Sequence, residues 1–363
     1  MELDTGIYRG CLLGLAVGDA MGLALDERSW AEIRQTYGPE GLLGYDLQEQ
    51  EYARVSSHTQ IAAFLCNGLL LSVVRGKTDR LRFARLALQE WSRSQMFYRA
   101  QEDSWCWTAK LPCFRRRYCR DSRMADGLRV DAYGTMDAPR NRNNAPGAIA
   151  GAAVVGMFYN PERLEPYQVG ALAAELMALT HGDPTTILSA VVLAYTITGI
   201  LQEHHMPLVR QFQQAIAVME GQFGNRFPQS QALAQRLYNA IELSGAGGIT
   251  PQEGMEQLNC TDTAGCLAGA LFACLVAGED FDRAITTAVN HSGMSSAVGA
   301  ITGAILGAKM GEDALPEFYL ESLECRRELE ILAEDLVFGT PALGVFEEDW
   351  DKKYVQGLPP ESN

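Results

Sequence analysis

Basic residues are scarce in this chain of 363 residues. It contains 30 lysines and arginines against 45 aspartates and glutamates, which gives a formal net charge of -15 at pH 7. A charge of this sign argues against general attraction to nucleic acid or to an anionic membrane surface. One basic run, residues 115–120 (RRRYCR), stands out. We interpret it as a solvated or partner-facing loop, because it lacks the repeated aromatic spacing of a single-strand binding groove.

Paired cysteine motifs are also absent. The 9 cysteines are an odd number and contain no CxxC pair, so the sequence favours reduced thiols over a disulfide framework or a zinc site. The N-terminal apolar stretch is interrupted by Gly18 and Asp19, which is untypical of a signal peptide or a membrane anchor. We therefore expect a soluble protein of the cytoplasm.

Alternating strand patterns with hairpin turns are hard to find, whereas helical patterns cover much of the chain. Apolar residues recur at three- and four-residue intervals in segments 60–74, 80–96, 168–180, 184–202, 208–222 and 229–243. Residues 103–145 are the least regular part, and we expect a long loop there that covers a cleft. No composition shift marks a linker, so we predict one compact all-α domain over residues 1–350 and a polar tail over 351–363.

Glycines recur every fourth residue in two segments, and on a helix such residues lie along one face. The two sets are Gly10, Gly14, Gly18 and Gly22, and Gly299, Gly303, Gly307 and Gly311, with shorter versions at Gly147 and Gly151 and at Gly265 and Gly269. Each internal glycine destabilises a helix by about 1 kcal/mol relative to alanine. Close packing of backbone against backbone has to offset that loss, so we predict helices that cross at short distance.

Polar residues cluster where these helices begin or break. The candidate ligand-binding residues are Asp19, Ser56, Ser57, His58, Asn144, Gly147, His181, Asn290, His291, Ser295 and Ser296. Helix N-termini present free backbone N–H groups, so several that converge on one cavity would suit a phosphate-bearing ligand. Helix capping is the alternative interpretation of each cluster, because Ser, Thr and Asn commonly occupy N-caps.

Five ordered motifs resemble those of the ADP-ribosylglycohydrolases, a family that includes the dinitrogenase reductase-activating glycohydrolase. They are GCLLGLAVGDAMG, WSRSQ, ALTHGDP, EDF, and AVNHSG followed by GAITGAILGAKMGEDALP. The resemblance runs from about Tyr8 to Asp335. It implies an orthogonal bundle of helices around a cleft that binds ADP-ribose beside two Mg²⁺ ions.

The sequence departs from the family patterns at the positions where the family binds its metal ions. The family pattern Thr/Ser-Asp-Asp-Thr-Gln reads SSHTQ at residues 56–60, and Gly-Asp-x-Asp-Thr/Ser reads GMSSA at 293–297. All four aspartates are missing, and the family's N-terminal glutamate is replaced by Asp26. Magnesium requires anionic oxygen ligands, so we expect no metal cofactor. Asp262, in a second stretch that resembles the C-terminal motif, is expected on the penultimate helix, which precedes the helix of the true motif.

Three functions fit these observations. The first is a degenerate member, a pseudoenzyme that keeps a cleft for an ADP-ribose-like molecule or an ADP-ribosylated protein. The second is an active hydrolase that cleaves an N- or O-glycosidic bond to ADP-ribose through a rebuilt site, with Asp26 as its catalytic residue. The third is a protein-interaction module whose loop, with Trp105, Trp107 and the basic run, binds a partner in ADP-ribosylation. We favour the first.

Overall fold

The computed structural model describes residues 4–74, 79–96, 104–117, 122–128, 133–159, 164–338 and 350–355. In chain order its α-helices are α1 (Thr5–Leu23), α2 (Trp30–Tyr37), α3 (Ser57–Val74), α4 (Arg80–Met96), α5 (Trp107–Lys110), α6 (Ser122–Gly127), α7 (Gly151–Phe158), α8 (Pro166–Ala178), α9 (Pro184–Gln202), α10 (Leu208–Phe223), α11 (Gln229–Ser244), α12 (Pro251–Leu258), α13 (Thr263–Ala277), α14 (Phe281–Val289), α15 (Ser295–Met310), α16 (Glu317–Glu321) and α17 (Arg326–Phe338). Short 3₁₀ turns cover Pro112–Phe114 and Glu312–Ala314. These ranges contain no β-strand, only two isolated β-bridges. The all-α prediction is therefore confirmed.

The six segments predicted from periodicity all form helices, and local caps account for where they begin. Asp183 accepts the backbone N–H of Thr186 at 2.9 Å, and Pro184 occupies the first turn of α9. Asp79 accepts the N–H of Arg82 at 3.1 Å at the start of α4. Each cap satisfies a backbone donor that the first helical turn leaves unpaired.

Helices α1 and α15 pack antiparallel through their glycine strips. A Cβ added to Gly10, Gly14 or Gly18 would overlap the carbonyl oxygens of Gly307, Gly303 and Gly299, respectively. A Cβ added to Gly299, Gly303 or Gly307 would overlap the carbonyl oxygens of Gly18, Gly14 and Gly10 in turn. The predicted backbone-to-backbone packing is therefore confirmed for the two long sets. It is wrong for Gly147, Gly151 and Gly269, where an added Cβ would meet side chains. It also places the C-terminal end of α1 beside the N-terminal end of α15, since a Cβ at Gly22 would overlap Ser295.

The centre of the molecule is made of almost completely buried helices, chiefly α1, α9, α13 and α15. By length and composition α9 would pass for a membrane span, but 72% of its most apolar stretch is buried inside the protein. It is the core helix of the bundle, which explains why it is apolar on every side.

The irregular segment predicted over residues 103–145 contains short helical turns in its described parts, namely α5, Pro112–Phe114 and α6. Trp105 and Trp107 pack against the core. The polar tail predicted from residue 351 begins with a π-helical turn, Asp351–Val355. In that turn Tyr354 is buried and donates a hydrogen bond of 2.6 Å to Asp335. Residues 356–363 lie outside the described residues.

Candidate functional site

A cleft of about 340 Å³ opens where α1 ends and where α3, α6 and α15 begin. Six predicted site residues line it: Asp26, Ser56, Ser57, His58, Gly147 and Ser296. The antiparallel packing of α1 on α15 explains this convergence, because it brings the loop after α1 to the first turn of α15. Thus segments more than two hundred residues apart in the chain share one wall.

Asp26 and Ser296 meet across this wall. The backbone N–H of Ser296 donates to Oδ1 of Asp26 at 2.8 Å, and the Ser296 hydroxyl donates to Oδ2 at 2.7 Å. The N-cap residue of α15, Met294, contributes no side-chain hydrogen bond. Asp26 therefore caps α15 from outside the helix, and its negative charge lies favourably at the helix N-terminus.

Asp19, which is buried, likewise caps the start of α3. Its carboxylate accepts the N–H and the hydroxyl of Ser56, and the N–H of Thr59 at 3.1 Å and its hydroxyl at 2.6 Å. Four donors offset the desolvation of a carboxylate that has no exposed surface. These contacts with Ser56 and Thr59 anchor the start of α3 to α1. Asp19 itself does not line the cleft.

His58 is the imidazole of the cleft, and it is only 3% exposed. Its Nδ1 has no hydrogen-bond partner in the described part of the chain. Burial lowers the pKa of His58 below its ordinary value, and the negative charge of Asp19 opposes that shift. Burial disfavours the charged form of an imidazole, so His58 is neutral near pH 7.

The structure places three predicted residues of the C-terminal motif behind the cleft wall rather than in its lining. The side-chain amide of Asn290 holds Leu42, accepting its N–H at 2.7 Å and donating to its carbonyl at 2.8 Å. His291 is fully buried, with Nδ1 3.0 Å from the Ser292 carbonyl oxygen. Ser295 is also fully buried. Their contacts thus hold the backbone around α14 and the loop at Leu42 and do not reach into the cleft.

His181 and Asn144 also lie outside the lining. His181 is fully buried at the junction of α8 and α9, with Nδ1 2.8 Å from the Thr180 hydroxyl. Asn144 lines a neighbouring pocket of about 250 Å³, and its carbonyl accepts the Thr263 hydroxyl at 2.8 Å. That pocket also contains Asp262.

Asp262 is bound to protein groups. It caps α13 by accepting the N–H of Gly265 at 2.7 Å, and it forms an ion pair with Arg236 at 2.9 Å. It lies at the start of α13, and α14 separates that helix from α15. The expected position on the penultimate helix is therefore wrong, because the segment 281–289 forms a helix of its own. Because Arg236 already contacts both of its oxygens, Asp262 is committed to a structural pair.

Sequence reasoning missed three polar lining residues, Glu27, Arg123 and Thr261. It also missed five apolar ones: Leu23, Met124, Ala145, Pro146 and Met294. Arg123 is the only cation among the described lining residues, apart from any protonated form of His58. It belongs to α6, inside a segment whose residue pattern carried no helical signal. Thr261 immediately precedes Asp262, the N-cap residue of α13. The stretch TDT, which resembles the family's C-terminal motif, therefore does reach the cleft, but through Thr261 and not through Asp262.

Known proteins match this chain along nearly its whole length. The family profile described as ADP-ribosylglycohydrolase matches residues 5–343. The chain belongs to the ADP-ribosylglycohydrolase family. A protein of Archaeoglobus fulgidus described only as uncharacterized is 27% identical over 341 residues, covering 91% of this chain and 95% of that protein. A solved structure described as an ADP-ribosylglycohydrolase-related protein complex has a TM-score of 0.58 at 22% identity. It covers 93% of this chain and 99% of its own.

The donor atoms of this ADP-ribosylglycohydrolase's cleft match magnesium poorly. The lining offers the two carboxylates of Asp26 and Glu27, serine hydroxyls, the thioether of Met294 and the imidazole of His58. Of the two carboxylates, that of Asp26 already accepts two hydrogen bonds from Ser296. Mg²⁺ requires anionic oxygens in octahedral geometry to offset its dehydration. No group of three His, Cys, Asp or Glu side chains could hold a metal ion in the chain segments that the structure describes. The residues present therefore do not fit the pair of magnesium ions that the family resemblance implies.

Proposed function

We propose that this ADP-ribosylglycohydrolase binds an ADP-ribose-like ligand in its cleft without a binuclear magnesium centre, and acts as a receptor rather than as a hydrolase. The contact between Asp26 and Ser296 carries the proposal. Both carboxylate oxygens of Asp26 accept hydrogen bonds from Ser296. The carboxylate of Asp26 thus accepts hydrogen bonds from the neutral hydroxyl and the backbone amide of Ser296. At the position of Ser296 the family pattern has an aspartate.

The cleft retains groups that suit a diphosphate. The N-termini of α3 and α15 both reach it, through Ser57 and Ser296, and each brings the positive end of a helix dipole. Asp19 and Asp26 already accept the N–H groups of Ser56, Thr59 and Ser296, so a ligand would bind the remaining first-turn N–H groups. Arg123 adds a side chain that can bind phosphate oxygens through two N–H groups. These features attract an anionic ligand even in a protein of net charge -15.

The same cleft has few groups that could catalyse hydrolysis: besides Asp26 and His58, the exposed Glu27 lines it. Without a metal ion, no Lewis acid activates water or stabilises charge on the departing ADP-ribose. Asp26 is engaged by two donors, and His58 is buried with a lowered pKa. We therefore expect the bound ligand to remain intact, whether it is free ADP-ribose or an ADP-ribosyl group on a protein.

A rebuilt hydrolase is the second candidate, because Asp26 and His58 line the same cleft. In that case Asp26 would accept a proton from water as a general base. The free thiols of all eight described cysteines suit a reducing compartment, so we propose the cytoplasm as the location for either function.

Incubation with a labelled ADP-ribosylated protein separates the two candidates. The receptor proposal predicts that label and protein stay joined and co-elute with the chain, in either magnesium or EDTA. Multiple-turnover release of ADP-ribose that is abolished by Asp26→Asn would instead establish the hydrolase. The Arg123→Gln variant is the control for binding in the cleft. It removes a charge from the lining and leaves residues Asp26 and His58 unmutated.

A further inference from the structure

Two cysteine thiols from distant parts of the chain meet beside the start of α17. Cys113 lies in the 3₁₀ turn Pro112–Phe114, and Cys325 immediately precedes α17. The two thiols are close enough to interact, since Cys113 adds to the effect of burial in raising the pKa of Cys325. Cys325 also has a φ angle of 67°, in the left-handed region that few residues other than glycine adopt. The backbone that carries this thiol is therefore held in an unusual conformation.

A second contact aligns the same two segments. The guanidinium of Arg116 lies 3.3 Å from the carboxylate of Glu324, so residues next to both cysteines are also paired. The carbonyl of Arg116 accepts a hydrogen bond of 3.0 Å from the Gln60 side chain. The segment that carries Cys113 thus lies between α17 and the first turns of α3, whose start lines the cleft.

Cys113 is the accessible member of the pair. The other described cysteines are buried, whereas Cys113 is partly exposed. Three arginines follow it, Arg115, Arg116 and Arg117, in a chain with a strong negative charge. Such a local basic patch attracts small anionic reagents, including glutathione disulfide. The basic run that the sequence set apart therefore flanks the one described thiol that solvent reaches.

We propose that Cys113 and Cys325 form a reversible disulfide by exchange with glutathione disulfide. The Cys113 thiolate attacks one sulfur of glutathione disulfide and releases one glutathione, which takes up the proton that Cys113 lost. The Cys325 thiolate then attacks the Cys113 sulfur of the mixed disulfide and releases the second glutathione, protonated in the same way. The two cysteines are oxidised, and one glutathione disulfide is reduced to two glutathione molecules.

The second exchange step limits the rate. Burial raises the pKa of Cys325 well above its ordinary value, so little of its thiolate exists at neutral pH. We expect a mixed disulfide on Cys113 to appear first and the internal bridge to follow, faster in alkaline buffer. The bridge closes a long loop between the two cysteines, and such loops restrict the unfolded chain. The oxidised protein should therefore melt at a higher temperature than the reduced one.

Peptide mapping tests this assignment. The full chain is incubated with glutathione disulfide in mildly alkaline buffer, blocked with iodoacetamide and digested with trypsin without reductant. The expected product joins peptide 111–115 to peptide 310–326, with the loss of two hydrogens, and dithiothreitol separates them. Cys113→Ser should abolish the bridge and leave Cys325 alkylated after unfolding. Cys325→Ser should leave glutathione on Cys113, and Cys274→Ser, which changes a buried thiol elsewhere, should leave the bridge intact.

Three outcomes overturn the proposal. Wild-type Cys113 could retain glutathione without ever forming the bridge. It could instead join another cysteine, which the mapped peptides would identify. Finally, both thiols could stay reduced in the folded protein while glutathione disulfide oxidises a reference dithiol in the same tube.

Discussion

Ser296 donates hydrogen bonds to both carboxylate oxygens of Asp26, from its backbone N–H at 2.8 Å and from its hydroxyl at 2.7 Å. These two hydrogen bonds join the loop after α1 directly to the first turn of α15. The glycine packing of α1 against α15 makes this approach possible. A cation between these two segments would have to displace a hydrogen-bonded pair that already stabilises the helix start.

Restoring the missing carboxylates should restore a dependence on magnesium. In the variant Ser57→Asp, His58→Asp, Met294→Asp, Ser296→Asp, several carboxylates crowd around Asp26, and their repulsion should lower the Tm in EDTA. Mg²⁺ should then raise the Tm of this variant, because a ligand that binds only the folded state stabilises it.

Thermal melts with and without Mg²⁺ check this prediction. The variant with asparagine at the same four positions is the matched control, since it has similar side-chain size and no added charge. The Tm of the wild type and of the asparagine control should be the same in Mg²⁺ and in EDTA. A wild-type Tm that rises with Mg²⁺ as much as that of the aspartate variant would contradict the account.

Arg123 should contribute to ligand affinity. Replacement by glutamine removes a charge-assisted contact to phosphate worth about 1.5–3 kcal/mol, so the Kd for ADP-ribose should rise roughly 10- to 100-fold. Fluorescence or calorimetric titration measures the change. Arg210→Gln, at an exposed position of α10, should leave the Kd unchanged. Equal affinities for wild type and Arg123→Gln would show that the ligand does not reach α6.

His58 should make the protein less stable in acid. Burial lowers its folded-state pKa below the ordinary value of 6.5, so the unfolded chain binds the proton more readily than the folded one. Unfolding free energy therefore falls as the pH drops through about 6.5 and towards the folded-state pKa, and the contribution is fully retained only above this window.

Urea unfolding across this pH range measures the effect. The variant His58→Gln should lose less stability on acidification than the wild type, although His291 acts in the same direction because burial lowers its pKa as well. His205→Gln, at an exposed position, should reproduce the wild-type slope. Parallel pH curves for the wild type and His58→Gln would mean that His58 gains no proton on unfolding.

The glycine strips should tolerate no side chain. Gly14→Ala places a methyl group against the backbone of Gly303, and two packed backbones can separate only by moving whole helices. We expect a loss of about 3 kcal/mol or more in unfolding free energy. Gly221→Ala is the control, because nothing lies near its added Cβ in α10. It should stabilise the protein by up to about 1 kcal/mol. Similar stabilities for both variants would contradict the packing described.

The sequence predicted the helices and the glycine packing because both depend on regular spacing. Apolar residues at helical intervals located α3, α4 and α8–α11, and glycines four residues apart indicated the contact of α1 with α15. Helices such as α2 and α12 begin with capping boxes at Ser29 and Thr250. That signal was present in the sequence but was not used.

The candidate site was predicted less completely, because spacing does not show which way a helix start faces. Ser57, His58 and Ser296 reach the cleft, whereas Asn290 and His291 in the same C-terminal motif turn inward and hold the backbone around α14 and the loop at Leu42. Arg123 could not be found from periodicity, since only the folded chain brings the short helix α6 over the cleft.

Calorimetric titration of ADP-ribose into the pure protein, once in Mg²⁺ and once in EDTA, tests the central claim most directly. The account predicts binding with the same Kd and enthalpy in both buffers, and a Kd roughly 10- to 100-fold higher in Arg123→Gln. Binding that requires Mg²⁺ would contradict it, because a metal ion would then complete the site despite the pairing of Asp26 with Ser296.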